Sequence, residues 1–267
     1  MGILNVTPDS FSDGGKYADC SAAAKRGLQM AEEGAAIIDV GGESTRPGAR
    51  EVPVEEETRR VVPVIEALSD QTNALLSVDT MKAETARRAV DAGACIINDV
   101  SALTHDPAMV ELAVRSGAGV ILMHMQGSPR TMQENPRYDN VVGEVRDFLK
   151  QRITRLAGAG VEKERMAVDP GIGFGKTVNH NLELIRNIDK LVSLGVPVVA
   201  GLSRKSFLGR LTGREVDQRL SASLAGLVFC LAKGAHIMRV HDVRESFEAA
   251  LVTAFLMEGE GKLNDTA

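Results

Sequence analysis

Ionisable or amide side chains stand directly behind short apolar runs at several points of the chain. Asn5 follows Ile3-Leu4, Asp39 follows AAII (35–38), Asp79 follows LLSV (75–78), and Asn98 follows CII (95–97). His124 follows VILM (120–123), Asp169 follows MAV (166–168), and Arg239 follows Ile237-Met238. Ser203 and Lys205 come just after Val198–Gly201, and His241 just after Val240. Carboxylates accept from N–H donors and amides do either. Lys, Arg and His donate to carbonyl, ring-nitrogen or anionic oxygen acceptors. Such a set suits a flat polar heterocycle and an anion. Strands must end somewhere, so a polar residue at any one end needs no function. Three Asp and two Asn, each directly after an apolar run, are harder to explain that way.

The segments behind these residues are unusual. The first reads NVTPDSFSDGG (5–15), rich in turn formers and carrying Phe11. The second, GGESTRPG (41–48), combines glycines, hydroxyls and an Arg, all able to donate to an anion. The sixth reads DPGIGFGKT (169–177), the seventh SRKSF (203–207) and the eighth RVHD (239–242). The sixth resembles a phosphate-binding GxxxxGK[ST] loop at its end, but Pro170 occupies the first glycine's place, so a nucleotide triphosphatase is set aside. Aromatic residues are few: seven Phe, two Tyr and no Trp. Phe11 and Phe174 lie among Gly, Ser, Thr and Pro, where stacking on a flat ligand is a better use than core packing. Arg239 and His241 are two apart, hence on one face of a strand, and are expected to act together on phosphate oxygens. His236 reads as structural, and His105 and His180 as surface or helix-cap residues. No zinc spacing and no GxSxG turn is present.

One unit recurs along the chain: a helical stretch, a glycine, an apolar run, a polar residue. Gly34, Gly93, Gly117 and Gly234 occupy the glycine position, the expected helix-ending residue with positive φ. Continuous apolar runs suit parallel strands covered on both faces. Eight such runs lie near Ile3–Val6, Ala36–Val40, Leu75–Val78, Cys95–Asn98, Val120–Met123, Met166–Asp169, Val198–Gly201 and His236–Val240. Between them 21–33, 54–69, 82–91, 141–157 and 218–233 read as helices. Eight β-α units in 267 residues predict a single-domain α/β (β/α)8 TIM barrel spanning 1–267, with its chemistry at the C-terminal ends of the strands. A doubly wound sheet would need a Gly-rich turn after the first strand, where VTPDS (6–10) stands instead. The first run begins almost at Met1, so the reading includes no segment closing the barrel's bottom.

The apolar fraction of 44% and charged fraction of 25% are those of a globular chain. A net charge of −5 argues against a nucleic-acid partner. No apolar stretch is long enough to span a membrane, and the N-terminus lacks the basic-then-apolar pattern of a secretory signal. Cys20, Cys95 and Cys230 are odd in number and form no CxxC pair, which suits a reducing cytoplasm.

The motifs GILNVTPDSFSDGG (2–15), DVGGESTRPG (39–48), SVDT (77–80), IND (97–99), MHM (123–125), DPGIGFGK (169–176), SRKSF (203–207) and RVHD (239–242) resemble those of the dihydropteroate synthases, over essentially the whole chain. One departure is visible: members of that family usually carry a segment before the first strand. The resemblance implies condensation of 4-aminobenzoate with 7,8-dihydropterin-6-ylmethyl diphosphate, with Mg2+, in folate biosynthesis. It implies a pterin site of Asp79, Asn98, Met123, Asp169, Phe174, Gly201, Lys205 and Arg239, with Asp79, Lys205, Asp169 and Arg239 as the catalytic set. It implies a diphosphate site of Thr45, Arg46, Arg239 and His241, and Asn5 as the Mg2+ ligand. Phe11, Pro47, Phe174, Ser203 and Lys205 would form the aminobenzoate pocket. It also implies sulfonamide inhibition and a homodimer formed through the last helices.

The chemistry is coherent with that assignment. An aryl amine is uncharged at neutral pH, so no strong base is needed. The difficulty is charge on the departing diphosphate, which a metal and cationic donors relieve. Carboxylates beside the ring favour a dissociative, SN1-like substitution. Two alternatives remain. A corrinoid-type pterin methyltransferase domain would share the barrel but lack the set Asn5, Thr45, Arg46 and His241. An inactive pterin-binding paralogue would have lost Asn5, Lys205 or Arg239, and all three are present.

Overall fold

The computed structural model of the chain describes residues 1–6, 15–45 and 48–258. Strands and helices alternate along it. The strands are β1 (Gly2–Asn5), β2 (Ile37–Gly41), β3 (Leu75–Asp79), β4 (Ile96–Asp99), β5 (Gly119–Met123), β6 (Met166–Asp169), β7 (Val199–Ala200) and β8 (Ile237–Met238). Helices α1 (Gly15–Glu32), α2 (Val54–Ser69), α3 (Ala83–Asp91), α4 (Ala108–Ser116) and α5 (Val141–Ala159) connect the first six strands. Helices α6 (Val178–Arg186) and α7 (Ile188–Val192) precede β7, α8 (Ser206–Thr212) and α9 (Leu220–Ala232) precede β8, and α10 (Val243–Glu258) follows it.

All the strands pair in parallel. β1 to β6 form one sheet in sequence order, and β7 with β8 forms a second. Single bridges, Val168 with Val198 and Gly2 with Val240, join the two sheets into a closed barrel. Main-chain bonds at these seams include Val168 N to Pro197 O and Ile3 N to Val240 O, each 2.9 Å. β7 and β8 are shorter than their apolar runs predict. The carbonyl of Val198 accepts from both His236 N and Ile237 N, and this doubling limits the regular ladder.

The four glycines of the recurring unit end their helices as expected. Gly34, Gly93, Gly117 and Gly234 have φ of 101°, 116°, 72° and 93°. Each turns the chain from a helix into the next strand in a conformation that residues with a Cβ avoid.

Strand alternation divides the apolar residues into two populations. Outward residues such as Leu4, Ile38, Val40, Val78, Ile97, Leu122 and Val168 pack beneath the helices in the main core. Inward residues Ile121, Ala167 and Val199, with Met1, Ile96 and Ile237 against them, form a small separate cluster that fills the barrel's lower interior. Two residues further along, the inward positions behind Ile96, Ala167 and Ile237 are polar: Asn98, Asp169 and Arg239. The register places Asp79 beside Asn98 and Gly41 beside Asp79, so these groups share one level. Among the described residues, no helix is long and apolar enough to cross a membrane.

Leu122 is fully buried between sheet and helices. Truncation to Ala leaves a cavity there and is expected to cost about 2–5 kcal/mol. Urea unfolding of Leu122→Ala measures it.

Candidate active site

The polar level above the apolar floor brings together residues from most of the barrel. Asp39, Asp79, Asn98 and Asp169 are all buried. Arg239, just past β8, reaches across the interior to two of them. Its Nε donates to Asp39 Oδ2 and its Nη2 to Asp79 Oδ2, both at 2.7 Å. Asn98 Nδ2 donates to the same Asp39 oxygen at 3.0 Å. Asp39 Oδ1 and the hydroxyl of Ser77 beside it have no hydrogen-bond partner among the described residues. A buried acceptor and a buried hydroxyl in that condition leave capacity for a polar ligand.

The electrostatics follow from this crowding. Burial pushes the Asp79 carboxyl up to about 7; Arg239 opposes the rise, and Asp39, Glu57 and Asp99 add to it. Asp169 is also raised, chiefly by burial and against the pull of Lys205. Lys205 is lowered to about 8 by burial, which Asp169 resists and Arg239 assists. For Arg239 burial opposes the charge, yet Asp39 and Asp79 outweigh it and hold the guanidinium protonated. Groups that titrate near neutrality in a concave polar site are the usual mark of an active centre.

The seventh and sixth strand ends meet through Lys205. Its ammonium donates to the Ile172 carbonyl and lies 4.8 Å from the centre of the Phe174 ring. Gly201 sits beneath it: a Cβ there would come to 3.7 Å from both Lys205 Nζ and Arg239 Cβ. Gly173 is similar, with Lys205 Cδ at 3.1 Å from where a Cβ would stand. Met123 lies on β5, one strand from Asp169 in register. Asn5 Oδ1 and Asp79 Oδ2 both border the space over Gly41, at 3.8 Å from a Cβ placed there. Thr45 is half-buried on the second loop. Phe11, Arg46 and Pro47 lie outside the described residues.

In this geometry Arg239 and His241 face different partners. Regular β8 ends at Met238, and Arg239 turns to the carboxylates in the interior. His241 instead pairs with Ser203, its Nδ1 lying 3.0 Å from the hydroxyl. Asp99, quoted with Asn98 in one motif, is structural. It accepts from Ser101 N at 2.6 Å and Leu103 N at 3.1 Å and caps the fourth loop. His180 is a cap, as expected, in a reciprocal box with Thr177. His236 is structural too, accepting from Val198 N.

Three participants carry no assigned role in the sequence reading. Asp39 was visible as a strand-end carboxylate, but only the fold shows that it anchors Arg239. Lys176 and His124 form a buried pair, Nζ to Nδ1 at 3.0 Å. Lys176 also donates to the carbonyls of His124 at 3.3 Å and Phe174 at 2.9 Å, tying the sixth loop to the end of β5. Burial brings Lys176 down to about 7 and His124 to about 3, so the imidazole is neutral. Gly171 makes this approach feasible, because a Cβ there would fall 1.9 Å from the His124 carbonyl oxygen.

Comparison with known proteins gives the family. A family described as pterin binding enzymes matches residues 1–241. The dihydropteroate synthase of Escherichia coli K12 is 49% identical over 263 residues, covering 98% of this chain and 93% of that one. The chain belongs to the dihydropteroate synthase family. It is accordingly a transferase of folate biosynthesis. Among solved structures, the Xanthomonas albilineans synthase with 4-aminobenzoic acid superposes with a TM-score of 0.92 at 50% identity, over 97% of this chain and 93% of that one. The Yersinia pestis synthase in complex with a sulfonamide drug also gives 0.92, at 44% identity, over 97% and 94%.

The family's barrel puts a titrating carboxylate, Asp79, at its centre, and the sign of its effect on stability is fixed. Its folded pKa of about 7 lies above the ordinary 3.8, so it stabilises the fold at low pH and loses that contribution as pH rises toward 7. Asp79→Asn removes the dependence. Urea midpoints between pH 4 and 8 are expected to show the variant gaining on the parent by about 1 kcal/mol per pH unit up to pH 7, then running parallel.

Proposed function

We propose that the ring of strand-end groups carries out the family's condensation. The amine of 4-aminobenzoate displaces diphosphate from 7,8-dihydropterin-6-ylmethyl diphosphate and yields 7,8-dihydropteroate. The observation that carries this reading is the convergence of Asp39, Asp79, Asn98 and Arg239 on one buried level, with Lys205 held between Ile172 and Phe174. An edge of alternating donors and acceptors on the pterin matches that set. Asp79 and Asp169 accept from ring N–H groups, Asn98 does either, and Lys205 donates to a ring nitrogen or carbonyl. Met123, Phe174 and Gly201 form the walls.

The 6-methylene then points toward the second and eighth loops. Thr45, Arg46, Arg239 and His241 are the diphosphate donors in this reading. Arg239 faces the carboxylates with Nε and Nη2, which leaves Nη1 for an anionic oxygen. Breaking the carbon–oxygen bond sends the electron pair to diphosphate and leaves an electron-poor carbon conjugated with the pterin. Asp79 and Asp169 stabilise that carbon at short range in a buried site, and the substitution is dissociative and SN1-like. Phe11, Pro47, Phe174 and Ser203 flank the aminobenzoate, with Lys205 at its junction with the pterin. A sulfonamide takes the aminobenzoate place. Binding without turnover is the rival reading, that of an inactive paralogue.

Mg2+ fits a sparse site here. Asn5 offers one neutral oxygen beside Asp79 over Gly41, and among the described residues no three His, Cys, Asp or Glu form a metal cluster. Mg2+ keeps several waters and favours phosphate oxygens, so Asn5 with a diphosphate is a sufficient donor set. Bound there, the ion would neutralise charge on the leaving group.

We also read residues 1–267 as one pterin-binding domain, acting in the cytoplasm as a homodimer. Cys20, Cys95 and Cys230 are free thiols, which suits that compartment. On α9 and α10, Phe229, Phe247, Leu251, Val252, Phe255 and Leu256 are exposed, and Leu256 is 81% exposed. Apolar surface gathered on two adjacent helices supports an isologous dimer face.

Two measurements test this. Diphosphate release on mixing the protein with both substrates is expected, and Asp79→Asn is expected to lower it about 10²–10³-fold with the fold intact. Binding of both substrates without release would leave a binding module. For assembly, Val252→Glu with Phe255→Glu is expected to convert a dimer to a monomer in sedimentation velocity. A parent that sediments as a monomer removes the dimer.

A further inference from the structure

Away from the pterin level, the root of the second loop rests on a buried charge cluster that the chemistry above does not use. Lys82 stands immediately before α3, Glu57 lies in α2, and Glu43 lies on the second loop two residues before Thr45. Lys82 Nζ donates to Glu57 Oε2 at 3.0 Å and also to Glu43 Oε2. Glu57 is 1% exposed and Lys82 7%. Thr85 Oγ1 adds a bond of 3.2 Å to the same Glu57 oxygen, and Lys82 N is held by Thr80 Oγ1 at 3.2 Å. Burial works against the Lys82 charge, but the hydrogen bonds and charges of Glu43 and Glu57 outweigh it and hold the ammonium protonated.

A second set of contacts fixes the same place. Arg60 Nη1, from α2, donates to the Gly42 carbonyl at 2.8 Å. Gly42 packs so closely on α2 that a Cβ would meet Val61 Cγ2 at 2.8 Å and Glu57 Cγ at 3.0 Å. The loop root is therefore clamped at its backbone by α2 and at its Glu43 side chain by Lys82. Two carboxylates on one buried ammonium are a poor means of stabilising a fold, since well-packed apolar side chains serve as well or better. Such a group is better suited to holding one conformation.

We propose that Lys82, acting through Glu43, is a positioning residue for diphosphate recognition. It ties the second loop to α2 and α3, so that Thr45 is presented to the leaving group. Lys82 itself touches neither substrate nor the pterin level. This inference rests on the reading that the second loop holds diphosphate.

The clearest variant is Glu43→Ala. It unties the loop and leaves the buried Lys82–Glu57 pair neutralised, so the fold is retained. Calorimetric titration with the pterin diphosphate is compared with titration by the same pterin bearing a hydroxymethyl group and no diphosphate. Glu43→Ala is expected to weaken the diphosphate ligand roughly 10–100-fold, the usual effect of losing a group that orients a binding element. The diphosphate-free pterin should stay within about twofold, and Glu43→Gln, which can still accept from the ammonium, should restore much of the loss. Lys82→Met should show the same split between the two ligands. Equal weakening of both ligands, or no weakening of either, overturns the proposal. Thr45→Val separates the two levels of argument. If Thr45→Val weakens the diphosphate ligand and Glu43→Ala does not, the positioning role fails alone. If neither does, the second loop does not hold diphosphate and both readings fail.

Discussion

The interaction on which the site depends is the reach of Arg239 across the barrel to Asp39 and Asp79. Three carboxylates packed into a buried interior repel one another, and burial makes Asp79 and Asp169 resist ionisation. One guanidinium with two donors facing them makes their coexistence tolerable. It also leaves the balance incomplete, since Asp79 still titrates near neutrality and Asp39 keeps an oxygen with no partner among the described residues. An interior fully satisfied by its own residues would gain nothing from a ligand. This one has acceptors in excess of its donors, so a donor-rich heterocycle completes it.

The rest of the architecture protects that arrangement from water and from drift. Below lies the apolar floor of Ile121, Ala167 and Val199. On one side the sixth loop is wrapped about the carbonyl of His124 and pinned by Lys176, which fixes Phe174 under Lys205. The neutral His124 matters here, because an imidazolium beside the Lys176 ammonium would push the loop away. Tyr138 and Gln133 add bonds to the Gly175 and Gly173 carbonyls, so the fifth loop braces the sixth.

Much of this could be read from the amino-acid order. Parallel strands buried on both faces leave continuous apolar runs, and left-handed helix ends demand glycine, so the eight-unit barrel follows from Gly34, Gly93, Gly117 and Gly234 and the runs behind them. The strand-end residues Asp79, Asn98, Asp169 and Arg239 were also visible, since a polar residue directly after such a run stands at the barrel's top. Pairings across the interior were not. Arg239 and Asp39 are 200 residues apart, and no local pattern distinguishes an Arg aimed at carboxylates from one aimed at phosphate. Lys176 was hidden for another reason. Its GKT context suggests a phosphate loop, whereas its ammonium is buried against carbonyls. The regular ends of β7 and β8 were misjudged because apolar composition reports burial, and the ladder is interrupted at a main-chain carbonyl that composition cannot register.

The two-sheet construction of the barrel has a consequence for how the enzyme comes into being. The carboxylates Asp39, Asp79 and Asp169 ride on the six-stranded sheet, while Lys205 and Arg239 follow the strands of the two-stranded one. Opposite charges thus belong to separately hydrogen-bonded pieces that meet at two narrow seams. The cations stand opposite their carboxylates only where both seams are closed. Six strands without the last two would carry a row of uncompensated acids and no working centre. Closure of the barrel and completion of the centre are one condition, and the attraction between opposite charges across the seams is also a latch.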